Sequence, residues 1–443
     1  MTTTEDNWRY TTVGPGTPGG ELLRRYWQPF LAAGALDDDP VQPVRLLAED
    51  LVCYRDRSGV IGLVGSRCAH RLVDLRFGIP ETHGLRCPYH GWCYDETGRC
   101  TETPLESPRS ALHNQIKIAG YPVRELGGLL FAYLGPGTPP VLPPWDVLVH
   151  PHALRQIGQT VIPCNWLQCQ ENASDPVHSV YLHGHFFKYV LERDGLLEER
   201  AADPSTHRAW TSIAGVAGFD HVISKRDEHG VQKAMVYTPE RGAPRHEERW
   251  HSYMIFPNIA RVGGGGIRYE MQFRVPIDDE HTNHFVYDIY VAPDDIAIDP
   301  PPVVPHYEIP IFDEKGAPVL DYVLAQDMAA WWSQGPVVDR TREHLAGTDT
   351  AIVEFRAMLA EQIALVEAGK DPINTYRDVA ECGEVIECSP KINQQRVHGP
   401  TWGGSRSALH KGYWRDDADR YGPLLKEVLD LMRRVDEAAV QPT

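Results

Sequence analysis

Between positions 68 and 90 the chain sets two thiols and two imidazoles in a fixed pattern: Cys68-x-His70, a sixteen-residue spacer, then Cys87-x-x-His90. Thiolate and imidazole are ligands for zinc or an iron–sulfur centre. If the four side chains share a metal, the fold must bring two short loops side by side. A structural zinc ion takes two Cys and two His in a tetrahedron, although this spacing is unlike a zinc finger's. A two-iron sulfur cluster would let each loop supply one Cys and one His. The bland alternative, buried thiols beside surface histidines, has the spacing against it. The other cysteines are Cys53, Cys93, Cys100, Cys164, Cys169, Cys382 and Cys388. An odd total of nine in a reducing compartment argues against a disulfide framework, so these seven read as small buried hydrophobes.

At 443 residues the chain is long enough for two or three domains with their own cores. No apolar run approaches the ~20 residues of a membrane span. The start, "MTTTEDNWRY", lacks the basic and apolar regions of a secretory signal, so a cytoplasmic location without a membrane partner is expected. A net charge of −18 argues against nucleic acid as a partner. Residues 51–100 depart from that balance, with seven Arg and no Lys against five acids. Such a face suits an acidic carrier protein, or is ordinary scatter of surface charge.

Strand-like runs "VRLLA", "LVCYRD" and "VIGLVG" fall between about 43 and 66, with "RDRSG" as a turn, and "GGLLFAYLG" follows at 127–135. Together they frame the Cys/His loops as a small antiparallel domain. "ELLRRYWQPFLAA" (21–33) is predicted as an amphipathic helix. "GPGTPGG" before it spells G-x-G-x-x-G, but Pro15 and Pro18 lie inside the loop and no apolar strand precedes it, so a turn leading into a helix suffices. "PGTPPVLPPW" (136–145) is a Pro-rich linker. Beyond it "DHVISKRD", "KAMVYT", "WHSYMIFPNIARV", "RYEMQFRVPI" and "NHFVYDIYVAP" predict a sizeable antiparallel sheet. "DYVLAQDMAAWWSQ", "DTAIVEFRAMLAEQI" and the terminal "GPLLKEVLDLMRRVDEAA" predict helices. The expected fold is α+β: a helical lead-in (1–42), a small antiparallel-β domain (43–145), a larger catalytic domain with an antiparallel sheet flanked by helices (146–370), and a C-terminal extension (371–443).

A second group of ligand-type residues lies in "NWLQCQENASDPVHSVYLHGHFF" (165–187). Asp175-x-x-His178-x-x-x-x-His183 places two imidazoles about a helical turn apart beside a carboxylate. His185 competes with His183 on the same short stretch; the x4 spacing favours His183. Alone, such a pattern fits ordinary structural histidines.

Together the two groups carry a resemblance. "CAHR…CPYHGW" resembles the cluster loops of Rieske oxygenases, whose [2Fe–2S] centre has two imidazoles in place of thiolates on one iron. Respiratory Rieske proteins carry one more cysteine in each loop; Val73 and Tyr89 stand at those positions here. "NW…ENASDPVH" resembles the mononuclear-iron segment of the same family. The resemblance implies that His178, His183 and a later Asp hold Fe(II) as a 2-His-1-carboxylate triad with positions left open for O2. "LAQDMAAWW" supplies Asp327 in the family's Gln/Glu-Asp pattern. Asp339, its competitor, sits in "VVDRTREHL", which looks like a capped helix start. Also implied are a bridge by Asp175 from His178 to His90 of the neighbouring subunit, and an Asn172 close to the iron. The resemblance runs from "VGPGTPGGELLRRYW" to about 366; no motif is placed after 370.

The implied activity is that of a terminal oxygenase using O2. The chain holds no nicotinamide or flavin fingerprint, so NAD(P)H electrons must arrive through a separate reductase and, in some systems, a ferredoxin. "VGPGTPGGELLRRYWQP" and "RLLAEDLVCYRDRSG" are most similar to the 5,5′-dehydrodivanillate O-demethylase-like branch of phthalate-dioxygenase-like enzymes. That implies a homotrimer or trimer-based oligomer acting on a small, lignin-derived methoxylated aromatic acid. Ring cis-dihydroxylation on the same scaffold is the alternative. A non-catalytic electron carrier is a third reading, against which Asp175, His178, His183 and Asp327 speak together. Pocket residues are expected on strands and loops between 200 and 320.

Overall fold

Short turns containing Asp and Gly join several of the consecutive strands as hairpins. The first example is Asp56–Gly59, where the Asp56 carboxylate accepts from the Ser58 and Val60 amides at 2.9 Å and Gly59 takes φ 92°. A computed structural model describes residues 3–107, 109–200, 218–238, 247–250, 253–262, 267–388 and 422–440. The hairpin belongs to a four-stranded antiparallel sheet in the order Val41–Leu46, Glu49–Arg55, Ile61–Gly65, Gly120–Tyr121. A second small sheet, Ile79–Pro80, Leu85–Arg86, Cys93–Tyr94 and Cys100–Glu102, lies between its last two strands in sequence. Val52, Tyr54, Val64, Leu75, Leu85, Trp92 and Tyr94 pack with Cys68 and Cys87 into one core.

Residues 21–33 correct the expected helix. The helix is Pro18–Leu23, with Thr17 accepting from the Gly20 amide at 3.2 Å. A Cβ at Gly20 would lie 2.2 Å from the Gly14 carbonyl oxygen, so only glycine lets the turn close. Trp27–Ala32 is then a strand antiparallel to Leu129–Tyr133. Pro29 cannot sit inside a helix, and "LLFAY" offers an almost wholly buried partner strand.

The large sheet has nine strands among the described residues. Its path is Phe219–Arg226, Gly230–Tyr237, Tyr253–Ile255, Ile259–Val262, Arg268–Pro276, Thr282–Val291, Ala153–Ile162, His306–Glu308, with Glu247–Trp250 joined to Gly230–Tyr237. Only the last pairing on that path is parallel. "WHSYMIFPNIARV", read as one strand, is two: Tyr253–Ile255 and Ile259–Val262 pair with each other, because Pro257 at the turn has no N–H for a ladder. His251 and Ser252 lie outside the described residues, as do 201–217, 239–246 and 263–266 of the stretch expected to line the pocket, and 389–421 of the C-terminal extension.

Helices cover the sheet. Trp166 and Leu167 of Trp166–Ser174 and Phe355 and Leu359 of Thr350–Glu367 share a core with Met271 and Phe273. Met328 and Trp331 of Val323–Ser333 pack on Ile162 and Val286. Val428 and Leu431 of Leu425–Val440 cover Leu154 and Tyr290. Each such side chain contributes roughly 1.5–3 kcal/mol by leaving water. The α+β expectation holds. Among the described residues no helix is long and apolar enough to cross a membrane.

Candidate active site

The two Cys/His loops turn out to be the same turn used twice. The Cys68 carbonyl accepts from the Leu72 amide at 2.9 Å and the Cys68 amide donates to Val73 at 3.0 Å. Cys87 repeats this with Gly91 at 3.0 Å and Trp92 at 2.8 Å. Leu72 and Gly91 both take the left-handed conformation, with φ 60° and 77°. Each turn buries its thiol: Cys68 and Cys87 are 1% and 2% exposed. The imidazoles face each other at the rim, with ring centroids 4.4 Å apart, His70 stacked on Trp92 at 4.6 Å and His90 against Tyr89 at 3.9 Å. The Tyr94 hydroxyl touches Cys68 Sγ at 3.3 Å and accepts from the Ala69 amide at 3.0 Å.

The chemistry of these four side chains fits a cluster. Burial, then His70 and Arg71, hold the His90 imidazole below its usual value, in the neutral form that binds metal. His70 Nδ1 is buried without a hydrogen-bond partner, the orphan a metal would satisfy. Burial pushes the Cys87 thiol up, so only a bound cation makes it a thiolate. A single zinc ion fits poorly. Its ligand atoms would crowd together, whereas among the described residues the one set of three or more such groups within 4.8 Å lies elsewhere.

That set is His178, His183 and Asp327. Asp327 Oδ1 lies 3.4 Å from His178 Nε2 and 3.2 Å from His183 Nε2, and the two rings are 81° apart with centroids at 5.1 Å. His178 opens a short α-helical stretch, His178–Val180, after Asp175 has ended Trp166–Ser174. Tyr181–Phe186, which carries His183, winds as a wider π-helical turn before the α-helix resumes at Phe187–Arg193. Asp327 faces both histidines from Val323–Ser333. Burial raises the Asp327 carboxyl, but the charges of His183, His178 and Arg274 outweigh it and hold the group below its usual value. Three donor atoms aimed at one point, with anionic oxygen among them, match a divalent iron site.

The neighbours expected from the sequence are also present. Asn172 Nδ2 donates to Asp327 at 3.4 Å. Asp175 Oδ2 lies 3.6 Å from His178 Nδ1, and its other oxygen accepts from the Val177 amide at 2.8 Å. His185 is not in the set; it is exposed and stacked on Tyr181 at 4.8 Å. Asp339 is exposed and caps Arg340–Arg342, accepting from Thr341.

Other residues had passed unnoticed. Gln326 Oε1 meets His183 Nδ1 at 3.0 Å while its amide nitrogen donates to the Leu320 carbonyl at 2.8 Å, fixing the ring. Glu171, on the helix before His178, is buried between Arg340 at 2.8 Å and Arg356 at 2.6 Å, and Arg356 also holds Glu343 at 2.7 Å. Burial raises the Glu171 carboxyl, yet the two guanidinium groups hold it below its usual value. Only the Gln-Asp dipeptide at 326–327 offered a sequence signal for any of these.

Comparison with known proteins identifies the family. The sequence model of the Rieske [2Fe-2S] domain matches residues 26–122, and one described as LigXa C-terminal domain like matches 319–389. The oxygenase subunit of 5,5′-dehydrodivanillate O-demethylase from Sphingobium sp. (strain NBRC 103272 / SYK-6) is 35% identical over 86% of this chain and 85% of its own. The oxygenase subunit of phthalate 4,5-dioxygenase from Pseudomonas putida is 30% identical over 85% and 89%. In fold, the terminal oxygenase of carbazole 1,9a-dioxygenase from Novosphingobium sp. KA1 superposes with a TM-score of 0.54 at 20% identity, over 81% of this chain and 95% of that one. The chain belongs to the Rieske oxygenases, as an oxygenase component. A Rieske [2Fe–2S] cluster and a mononuclear iron are its metal cofactors, and O2 is its co-substrate.

Proposed function

We propose that the protein is the terminal oxygenase of an aromatic-degrading system and O-demethylates a methoxylated, lignin-derived aromatic acid. The observation that carries this reading is the His178, His183 and Asp327 set, in a chain 35% identical to an O-demethylase oxygenase subunit. The methyl C–H is hydroxylated with one atom of O2, and the hemiacetal collapses to a phenol and formaldehyde. The other oxygen atom leaves as water, with two electrons drawn from NAD(P)H through a separate reductase, directly or by way of a ferredoxin.

When bound, the [2Fe–2S] cluster supplies single electrons and the mononuclear iron a place for O2. The chain's side chains do the rest. Cys68, His70, Cys87 and His90 would hold the cluster, and Leu72, Phe77 and Tyr89 of the same loops are exposed. Arg71, stacked at 5.5 Å over Tyr89, adds positive charge for an acidic donor protein. His178, His183 and Asp327 would hold the iron. Gln326 keeps His183 in the tautomer whose Nε2 faces the metal, and Asn172 supports Asp327. Asp175, with Oδ2 3.6 Å from His178 Nδ1, would bridge to the partner subunit's His90, and a homotrimer would then be the working form.

The deciding experiment is oxygenation of methoxylated aromatic acids with a surrogate reductase. Stoichiometric formaldehyde with the matching phenol is expected. The 30% identity to a phthalate dioxygenase supports one competitor, ring dihydroxylation; a cis-dihydrodiol without formaldehyde would establish that reading instead.

A further inference from the structure

One face of the large sheet carries a row of buried polar side chains that the metal ligands do not use. In Arg268–Pro276 every second residue is charged or an amide: Arg268, Glu270, Gln272 and Arg274. The last three are 7%, 6% and 2% exposed. A strand face looking into a core is apolar unless something polar meets it, as Met271, Phe273 and Val275 illustrate on the other face. The row is tied together from its far end. Arg268 is held by Asp288 at 2.9 Å and by Glu270 at 2.6 Å. Gln272 then links Glu270 to Arg274, donating to the first and accepting from Nη2 of the second at 2.5 Å. Both acids are taken up by Arg268. Among the described residues, the Arg274 charge meets no carboxylate at ion-pair distance.

At its near end the row reaches the helix of Asp327. The Arg274 guanidinium lies over the Trp331 ring, 5.5 Å from its centroid, and His284, directly across the ladder from Arg274, meets the same ring edge-on at 5.4 Å. Trp331 follows Asp327 by one helical turn and shares its face. Five polar atoms gathered here are buried and unpartnered: Arg274 Nε and Nη1, His284 Nδ1 and Nε2, and Trp331 Nε1. Buried polar atoms are nearly always satisfied, so five in one place indicate an absent partner. Burial, then the Arg274 charge, keep His284 well below its usual value and therefore neutral. The set is thus donor-rich and singly positive. Ordered water can satisfy the neutral atoms but gives the guanidinium, which acts on Asp327 only at a distance, no contacting counter-charge. A carboxylate does both, since its two oxygens match the guanidinium fork.

We propose that Arg274, with Trp331 and His284, is the subsite that binds the carboxylate of the aromatic substrate, fixing the acid against the sheet so that its methoxy group faces His178, His183 and Asp327. This rests on the O-demethylase reading and adds to it the recognition of an anionic ring.

The test is equilibrium binding, followed by quenching of tryptophan fluorescence or by calorimetry, on the iron-loaded full chain. The probes are 5,5′-dehydrodivanillate and vanillate, each against its methyl ester. The acids should bind the wild-type protein at least about 30-fold more tightly than the esters, because a site built for a charge rejects its uncharged analogue. Arg274→Gln should weaken acid binding by about that factor, leave ester binding within about threefold, and abolish the preference. Arg274→Lys should restore only part of it. Trp331→Phe, which keeps a ring and removes the N–H, should cost the acids about tenfold and the esters little; it serves if Arg274→Gln does not fold. An acid preference that survives both Arg274→Gln and Trp331→Phe overturns the subsite while the function reading stands. Failure of acids and esters alike to bind the wild-type protein overturns the function reading and the subsite together.

Discussion

The two metal centres are built on opposite plans. The cluster loops are held by their own backbone: each Cys closes its turn with two amide hydrogen bonds, and all four proposed ligands fall between positions 68 and 90. The second site draws its carboxylate and its supports from a distance. Gln326 orients His183 across 143 positions of sequence, Asn172 reaches Asp327 across 155, and Glu171 is gripped by Arg340 and Arg356 across 169 and 185. A site made of turns depends on local geometry, and a site made of helices depends on the packing between them. The first should survive changes that ruin the second.

Replacing ligands tests this independence most severely. Asp327→Ala should cut substrate turnover by at least about 1000-fold, while the cluster's absorption spectrum and inorganic sulfide content stay those of the wild type. Loss of the cluster in that variant would join the two plans. Next comes Glu171→Gln, which leaves Arg340 and Arg356 without their shared buried anion. It should cost about 3–5 kcal/mol in urea unfolding. Because the Glu171 carboxyl is held below its ordinary value in the folded state, its contribution is present above the unfolded value near ~4.3 and is lost as pH falls through the folded one. Gln326→Ala should weaken iron binding about 10- to 100-fold in a metal titration without moving the cluster's potential. Tyr94→Phe is the mirror image: losing the hydroxyl beside Cys68 Sγ should lower that potential by on the order of tens of millivolts, with iron binding unchanged. Arg76→Ala, at an exposed pair with Asp74, should stay within about 0.5 kcal/mol.

The same contrast explains what could be read from the sequence. Cys68, His70, Cys87 and His90 are legible because one turn, repeated, needs its residues at fixed offsets. His178 and His183 are legible for a related reason, and Asp327 through its "QD" context. Arg340 and Arg356 look like surface charges of helical segments, because nothing near them in sequence hints at a buried Glu171. The stretch 21–33 misleads similarly. Its apolar spacing suits a helix, yet pairing with Leu129–Tyr133, about a hundred positions on, decides that Trp27–Ala32 is extended. The row ending at Arg274 alternates as a strand should, but its buried face is polar, which alternation alone cannot distinguish from a solvent-facing one.

The wide turn at Tyr181–Phe186 has a consequence for how firmly metal is held. Side chains five apart on a regular α-helix point ~140° away from each other, so the extra backbone in this turn is what lets His178 and His183 converge. Tightening it to an ordinary helix would swing all that follows by roughly 100° and drag Phe187 and Leu191 out of their contacts with Leu196, Leu197 and Val323. Apolar contacts several residues downstream therefore support the three donor atoms: Leu191→Ala should loosen iron binding in a metal titration without touching a proposed ligand.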